Sequence, residues 1–178
     1  ASLLTSWVRP RPTTETTDTP DAIRGFAFKS PAPRSHGRFL ALRLRPGQDL
    51  KESLLQFVQE NSLSAVAVVT CVGSLTEANL RMANADRNHP NEVRLFSQRV
   101  EITSLVGTLS AGKDGGEPSC HLHLSMSDKD GRAFGGHVMS GCKVFTTAEI
   151  VIADLSDFKF RRTLDDATGF PELEISRA

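Results

Sequence analysis

The residues of this chain best able to do chemistry are three histidines. His121 and His123 flank Leu122, and His137 follows Gly135-Gly136. Cys120 to Ser127 alternates like a β-strand, so His121 and His123 leave the same face. Their Cα atoms then lie roughly 6–7 Å apart, from a rise of ~3.3 Å per residue. Imidazoles at that spacing can converge on one metal ion. The third ring arrives after a double glycine, where the backbone is free to bend sharply. Three neutral imidazoles leave one position open to water or substrate, which is the pattern of catalytic rather than closed structural zinc. Ligand preference puts zinc first. Each ring also needs an acceptor on its other nitrogen to fix its tautomer.

Two carboxylates inside apolar strands are candidates to work beside such an ion. Glu101 lies in Val-Glu-Ile-Thr-Ser-Leu and Glu149 in Thr-Thr-Ala-Glu-Ile-Val-Ile-Ala-Asp-Leu. A carboxylate is expensive to bury unpaired. Glu101 is the first candidate general base, or a partner for a ligand histidine, and Glu149 the second. The alternative for both is a carboxylate at the sheet surface or a subunit interface. Asp128-x-Asp130-Gly131 opens like a calcium loop but lacks the closing glutamate, so it reads as a hairpin turn. The glycine-rich pieces at 113–116 and 135–136 match no phosphate-binding fingerprint. Cys71, Cys120 and Cys142 form no CxxC pair, which favours a reducing compartment. Cys71 and Cys142 read as small core residues. Cys120 should point away from His121 and is a poor fourth ligand.

Elements that could position these groups are legible along the chain. Arg38 to Arg45 reads as a strand ended by Pro46-Gly47. Asp49 reads as a helix N-cap with Glu52 completing a capping-box-like pair, and Leu50, Leu54, Phe57 and Val58 share one helical face. Ala65 to Val72 is a continuous apolar run, expected as a central strand covered on both faces and broken at Gly73-Ser74, with a short strand over Asn79 to Met82. Strands follow over Val93 to Phe96, Val100 to Leu109, Cys120 to Ser127, from Arg132, and over Lys143 to Asp154. Asp86 to Pro90 reads as a polar turn and Lys113 to Pro118 as a loop. Phe158, Phe160, Leu164 and Phe170 are expected to cover a sheet edge. One principal helix among about seven strands gives an α+β fold with a mainly antiparallel sheet.

The formal net charge is zero, but residues 1–46 hold eight Lys/Arg and three Asp/Glu. A mildly acidic body with a basic arm follows. Residues 1–36 are rich in Pro, Thr and Arg and read as a disordered arm. Arg9 and Arg11 without acids nearby resemble an import segment, while Pro10 and Pro12 disfavour its amphipathic helix. Intracellular localisation, cytoplasmic or nuclear, is expected over mitochondrial import. No apolar run reaches the ~18 residues of a membrane span. No helix carries a basic run fit to read a major groove, so contact with nucleic acid is expected to be weak or indirect.

Several ordered motifs resemble the PPC domain family (plant and prokaryote conserved domain). They are Pro46 to Leu50, Val66 to Leu75, Ala78-Asn79-Leu80-Arg81, Val100 to Leu109, His121 to Ser125, Asp128 to Gly131, Gly135-Gly136-His137-Val138 and Thr168-Gly169-Phe170 with Glu172-Leu173. The match spans residues 37–176. It implies a compact α+β subunit, related in fold to acetolactate decarboxylase, that assembles as a homotrimer. It implies His121, His123 and His137 as metal ligands. Plant members add an AT-hook, an Arg-Gly-Arg segment. Arg9-Pro10-Arg11-Pro12 has proline at its centre, so the resemblance is to a stand-alone domain without the hook. The implied role is a metal-binding assembly or regulatory module, associated with nucleic acid by analogy. The alternative is a zinc-dependent hydrolase or lyase on a small carbonyl or carboxylate compound, with Glu101 as base.

Overall fold

Residues 34–83, 89, 91–112 and 116–178 are described by a computed structural model of the chain. The basic arm up to residue 33, most of the turn at 86–90 and residues 113–115 of the predicted loop lie outside them. Among the described residues there are nine strands and one helix. A seven-stranded antiparallel sheet runs β1 (Arg38–Leu44), β7 (Lys143–Asp154), β2 (Ala65–Arg81), β4 (Val100–Ser110), β5 (Ser119–Ser127), β6 (Ala133–Val138), with β3 (Val93–Phe96) also paired to β2. The hairpin β8 (Phe158–Leu164) and β9 (Pro171–Arg177) forms a second, two-stranded sheet. The α+β, mainly antiparallel architecture expected from the sequence is the one observed.

The helix α1 (Leu50–Glu60) begins where the capping residue was expected. Asp49 Oδ1 accepts from the Lys51 and Glu52 amides, both at 3.1 Å, and its Oδ2 accepts from the Gly141 amide at 2.7 Å. Glu52 does not close the capping box; its carboxylate accepts from the Ser140 hydroxyl instead. One cap thus anchors the helix to the start of β7. Leu50, Leu54 and Val58 are buried against the sheet. The main core draws Leu75, Leu80, Leu105, Leu109, Leu122, Met126, Ile150 and Ile152 from the strands. Cys71 and Cys142 are buried free thiols, as the sequence suggested.

Gly73-Ser74 does not break the second strand. β2 runs unbroken for 17 residues, with register shifts against β7 at Val68/Thr70, Gly73/Leu75 and Leu75/Glu77. These bulges bend the strand without ending it. Gly73 has φ 149°, and a Cβ there would lie 2.0 Å from the Thr147 carbonyl oxygen. The bend lets the far end of β2 meet β6, at Leu80↔Val138 and Arg81↔His137. Strands β2, β4, β5 and β6 therefore close into a ring.

Phe158 and Phe160 pack with Ala65 in a small second core, and the Phe160 amide donates to the Ser64 carbonyl at 3.0 Å. That fastens the hairpin beside the start of β2. Leu164 is exposed rather than covering an edge.

Gly73→Ala is expected to lower unfolding free energy by about 2–4 kcal/mol, from overpacking plus backbone strain. Gly47→Ala, with φ 83° but nothing within 4 Å of its Cβ position, is expected to cost about 1 kcal/mol. Urea denaturation of both variants checks this; equal losses would refute the close approach at Gly73.

Candidate metal centre

Strand pairing builds the centre. Along β5, Leu122, Leu124 and Met126 point into the core, so His121 and His123 leave the opposite face. His123 pairs with His137 across β5–β6, and His137 pairs with Arg81 across β6–β2. Directly paired residues share a face, so Arg81, His137 and His123 form one row over three strands. His121 pairs with Thr108 of β4 in the next row.

The double glycine before His137 does not bend the chain; it lies inside β6 and permits close approach. A Cβ at Gly135 would sit 2.2 Å from the Leu124 carbonyl oxygen, and one at Gly136 2.8 Å from that of Arg81. Only glycines let β6 lie this tightly between β5 and β2.

The three rings meet. One ring nitrogen from each of His121, His123 and His137 lies within 4.8 Å of the others. The Nε2 atoms of His121 and His123 are 3.1 Å apart. Two ligands of a tetrahedral zinc ion stand ~3.3 Å apart for bonds of ~2.0–2.1 Å. Nδ1 of His137 is buried with no hydrogen-bond partner. Burial, then the Arg162 guanidinium and the His123 ring, lowers the His121 pKa. Burial, then Arg81 and the two neighbouring rings, pushes His137 down to about 4. Both rings therefore keep free lone pairs near neutral pH, as metal ligation requires. The donor set fits a borderline ion such as zinc.

A cavity of about 900 Å³ opens on this cluster. His121 and His137 line it together with Arg81 and Cys120, and Arg162, Phe170 and Glu172 come from the β8–β9 hairpin and its turn. The Arg162 guanidinium donates to Thr108 Oγ1 at 2.8 Å, next to His121. The Arg81 guanidinium lies 5.2 Å from the centre of the Phe170 ring. His123 is exposed at the outer edge of the cluster.

Glu101 is not brought to the histidines within the chain. It is exposed on β4 opposite Ser127, seven residues from Thr108, and it does not line the cavity. That is roughly 20 Å at ~3.3 Å per residue. Glu149 is exposed on β7, paired with Arg43 and Val72. Cys120 packs against the core and its Sγ does not join the histidine cluster. The Asp128 turn is a hairpin turn: Asp128 Oδ1 accepts from the Asp130 and Arg132 amides, both at 2.9 Å. Arg81, Arg162 and Phe170 drew no functional assignment from the sequence. The one local signal was Arg81, a cation directly after the apolar end of a strand.

In metal-free protein the depressed His137 pKa makes stability pH-dependent. The unfolded ring takes a proton near 6.5 and the folded ring only near 4. Between those values the unfolded chain binds more protons, so stability is full above pH 6.5 and falls as pH drops toward 4. The expected loss is about 1 kcal/mol after allowing for solvent screening of a half-exposed ring. Urea midpoints at pH 7 and pH 4.5 in a chelator check this; His137→Gln should flatten that part of the profile.

The model of the Plants and Prokaryotes Conserved (PCC) domain matches residues 32–156. Two curated relatives, both a bifunctional protein GlmU, come from Synechococcus sp. strains JA-3-3Ab and JA-2-3B'a(2-13). They are 44% identical over 147 residues and 43% identical over 155 residues, covering 83% and 86% of this chain. The chain spans about a fifth of their length, 22% and 23%. A solved protein from Salmonella enterica is 40% identical with a TM-score of 0.73, over 82% of this chain and 97% of that one. A metal-containing protein from Archaeoglobus fulgidus is 27% identical with a TM-score of 0.68, over 79% of this chain and 95% of that one. A plant- and prokaryote-conserved (PPC) protein from Pyrococcus horikoshii is 25% identical with a TM-score of 0.64, over 76% of this chain and 91% of that one. With a matching family model over most of its length and a fold that closes β2 on β6 to gather three histidines, this chain belongs to the PCC domain family.

Proposed function

We propose that the chain is a metal-binding module in which His121, His123 and His137 hold a zinc ion and three copies assemble. The convergence of three imidazole nitrogens within 4.8 Å carries this proposal. Likeness to a metal-containing archaeal protein supports it. The match to about a fifth of two longer proteins suits a module that works beside other domains, in a regulatory role. For assembly, the support is the family resemblance together with exposed apolar side chains. Val69 and Val72 on β2 and Val106 on β4 are 51%, 58% and 52% exposed. Val106 pairs with His123, so this apolar surface runs up to the candidate centre. Such a surface suits burial against a second copy.

Any contact with nucleic acid is indirect in this proposal. The one helix among the described residues has Lys51 as its only basic side chain. Among the described residues no helix is long and apolar enough to cross a membrane.

The cavity favours a second reading, a hydrolase or lyase on a small carbonyl or carboxylate compound. A bound zinc ion supplies Lewis-acid polarisation of a carbonyl or a water of lowered pKa. His121, His123 and His137 would hold it, and Arg81 and Arg162 would orient a substrate. Of the carboxylates lining the cavity, Glu172 is the one whose charge acts on His121; it accepts from Thr168 Oγ1 at 3.0 Å and is the candidate base in this reading.

Metal analysis of purified protein tests the module. About one zinc per chain is expected for the wild type, falling below a tenth of that in His123→Ala. In light scattering the chelator-treated wild type should remain trimeric. A zinc-free wild type would refute the metal assignment, and a monomer the assembly.

A further inference from the structure

Two guanidiniums, those of Arg81 and Arg162, line the cavity. Among the described residues neither Arg81 nor Arg162 has a salt-bridge partner. Arg81 rests over the Phe170 ring, and Arg162 donates one hydrogen bond, to the neutral Thr108 hydroxyl. Nε of Arg162 is buried with no acceptor at all. An unpaired buried donor on a charged group costs free energy, and the protein could have removed that cost with an acid on β4 or β5. Both arginines instead line, with His121 and His137, one cavity of about 900 Å³.

The acids lining the cavity balance these charges only in part: the Glu172 carboxylate acts on Arg162 and His121 without forming an ion pair with either. Glu172 is held by Thr168, and Glu117 and Glu174 make no ion pair with either arginine. A dication placed on the histidines would add to the same positive field. Such a concentration of positive charge is stable only with an anion among it.

We propose that this cavity binds a small organic carboxylate, held by Arg81 and Arg162 directly beside the three histidines. The planar forked guanidinium matches a carboxylate bidentately. Phe170 supplies the apolar wall against which the carbon body lies. The hairpin β8–β9 contributes both Arg162 and Phe170, so the last strands of the chain determine which ligand is accepted. This proposal rests on the zinc assignment for the ion but not for the arginines, and the two can fail separately.

Isothermal titration calorimetry with malonate, and separately with inorganic phosphate, tests it on the full chain, with zinc content measured in each sample. Malonate is expected to bind the wild type. Arg162→Gln and Arg81→Gln should each weaken malonate at least about tenfold, the loss of a charged hydrogen bond, with zinc content unchanged. Arg162→Lys keeps the charge and guards against a folding defect; it should recover part of the affinity and melt like the wild type. Zinc-loaded wild type that ignores malonate, or binds it equally in both glutamine variants, overturns the proposal and leaves the metal assignment standing. Phosphate binding as tightly as malonate, with the same losses, overturns the carboxylate assignment. Zinc-free wild type that binds malonate through both arginines supports the cradle and refutes the metal assignment.

Discussion

The candidate centre depends on how closely β6 lies against β5 and β2. Three backbones can approach at Gly135 and Gly136 because neither residue carries a Cβ to meet the Leu124 and Arg81 carbonyls. The next residue is His137, and its register is therefore fixed to His123 on one side and Arg81 on the other. A slip of one residue would send His137 into the core and Val138 outward. Val138 is buried and packs in the main core, so the hydrophobic interior enforces the register that the histidine cluster needs. The same leucines that hold β5 in place, Leu122 and Leu124, make His121 and His123 share a face.

That constraint reaches back into β2. A straight strand of 17 residues could not pair with β7 and β4 over most of its length and with β3 and β6 at its end. Bulges near Val68, Gly73 and Leu75 supply the curvature. Gly73 looked like a strand terminator because glycine and serine together usually mark a turn. The apolar alternation on both sides was the stronger signal: Cys71, Gly73 and Leu75 all face inward. Curvature of a continuous strand has no local signature that separates it from a break. It is decided by partners such as Thr147, distant in the sequence.

Much of the site was legible for the opposite reason. An alternating His-Leu-His needs only strand periodicity to place two rings together, and the Asp49 cap and Asp128 turn are equally local. Glu101 showed where local reasoning ends. A carboxylate in an apolar strand suggests burial and function, but β4 carries it to the exposed end opposite Ser127. The residues that do surround the histidines, Arg81, Arg162 and Phe170, come from the end of β2 and from a hairpin that begins at Phe158, far downstream in the sequence. Arg162 sits in a run of charges, Phe-Lys-Phe-Arg-Arg-Thr-Leu, that resembles an ordinary solvated strand face. Only the docking of Phe158 and Phe160 beside Ala65 turns that hairpin over the histidines.

The electrostatics of the assembled site bear on what it can hold. Burial first, and positive neighbours after it, lower the proton affinity of His121 and His137, which keeps their lone pairs free. The same neighbours repel a dication. If the site holds an ion and an anion as proposed, each would reduce the cost of the other. A carboxylate supplied by the protein, such as Glu101 at this position, would have satisfied the ion alone and closed the cavity to an outside anion. Arg81 and Arg162 line the cavity with the histidines and form no ion pair among the described residues, so in the proposed module part of that charge would fall to a ligand.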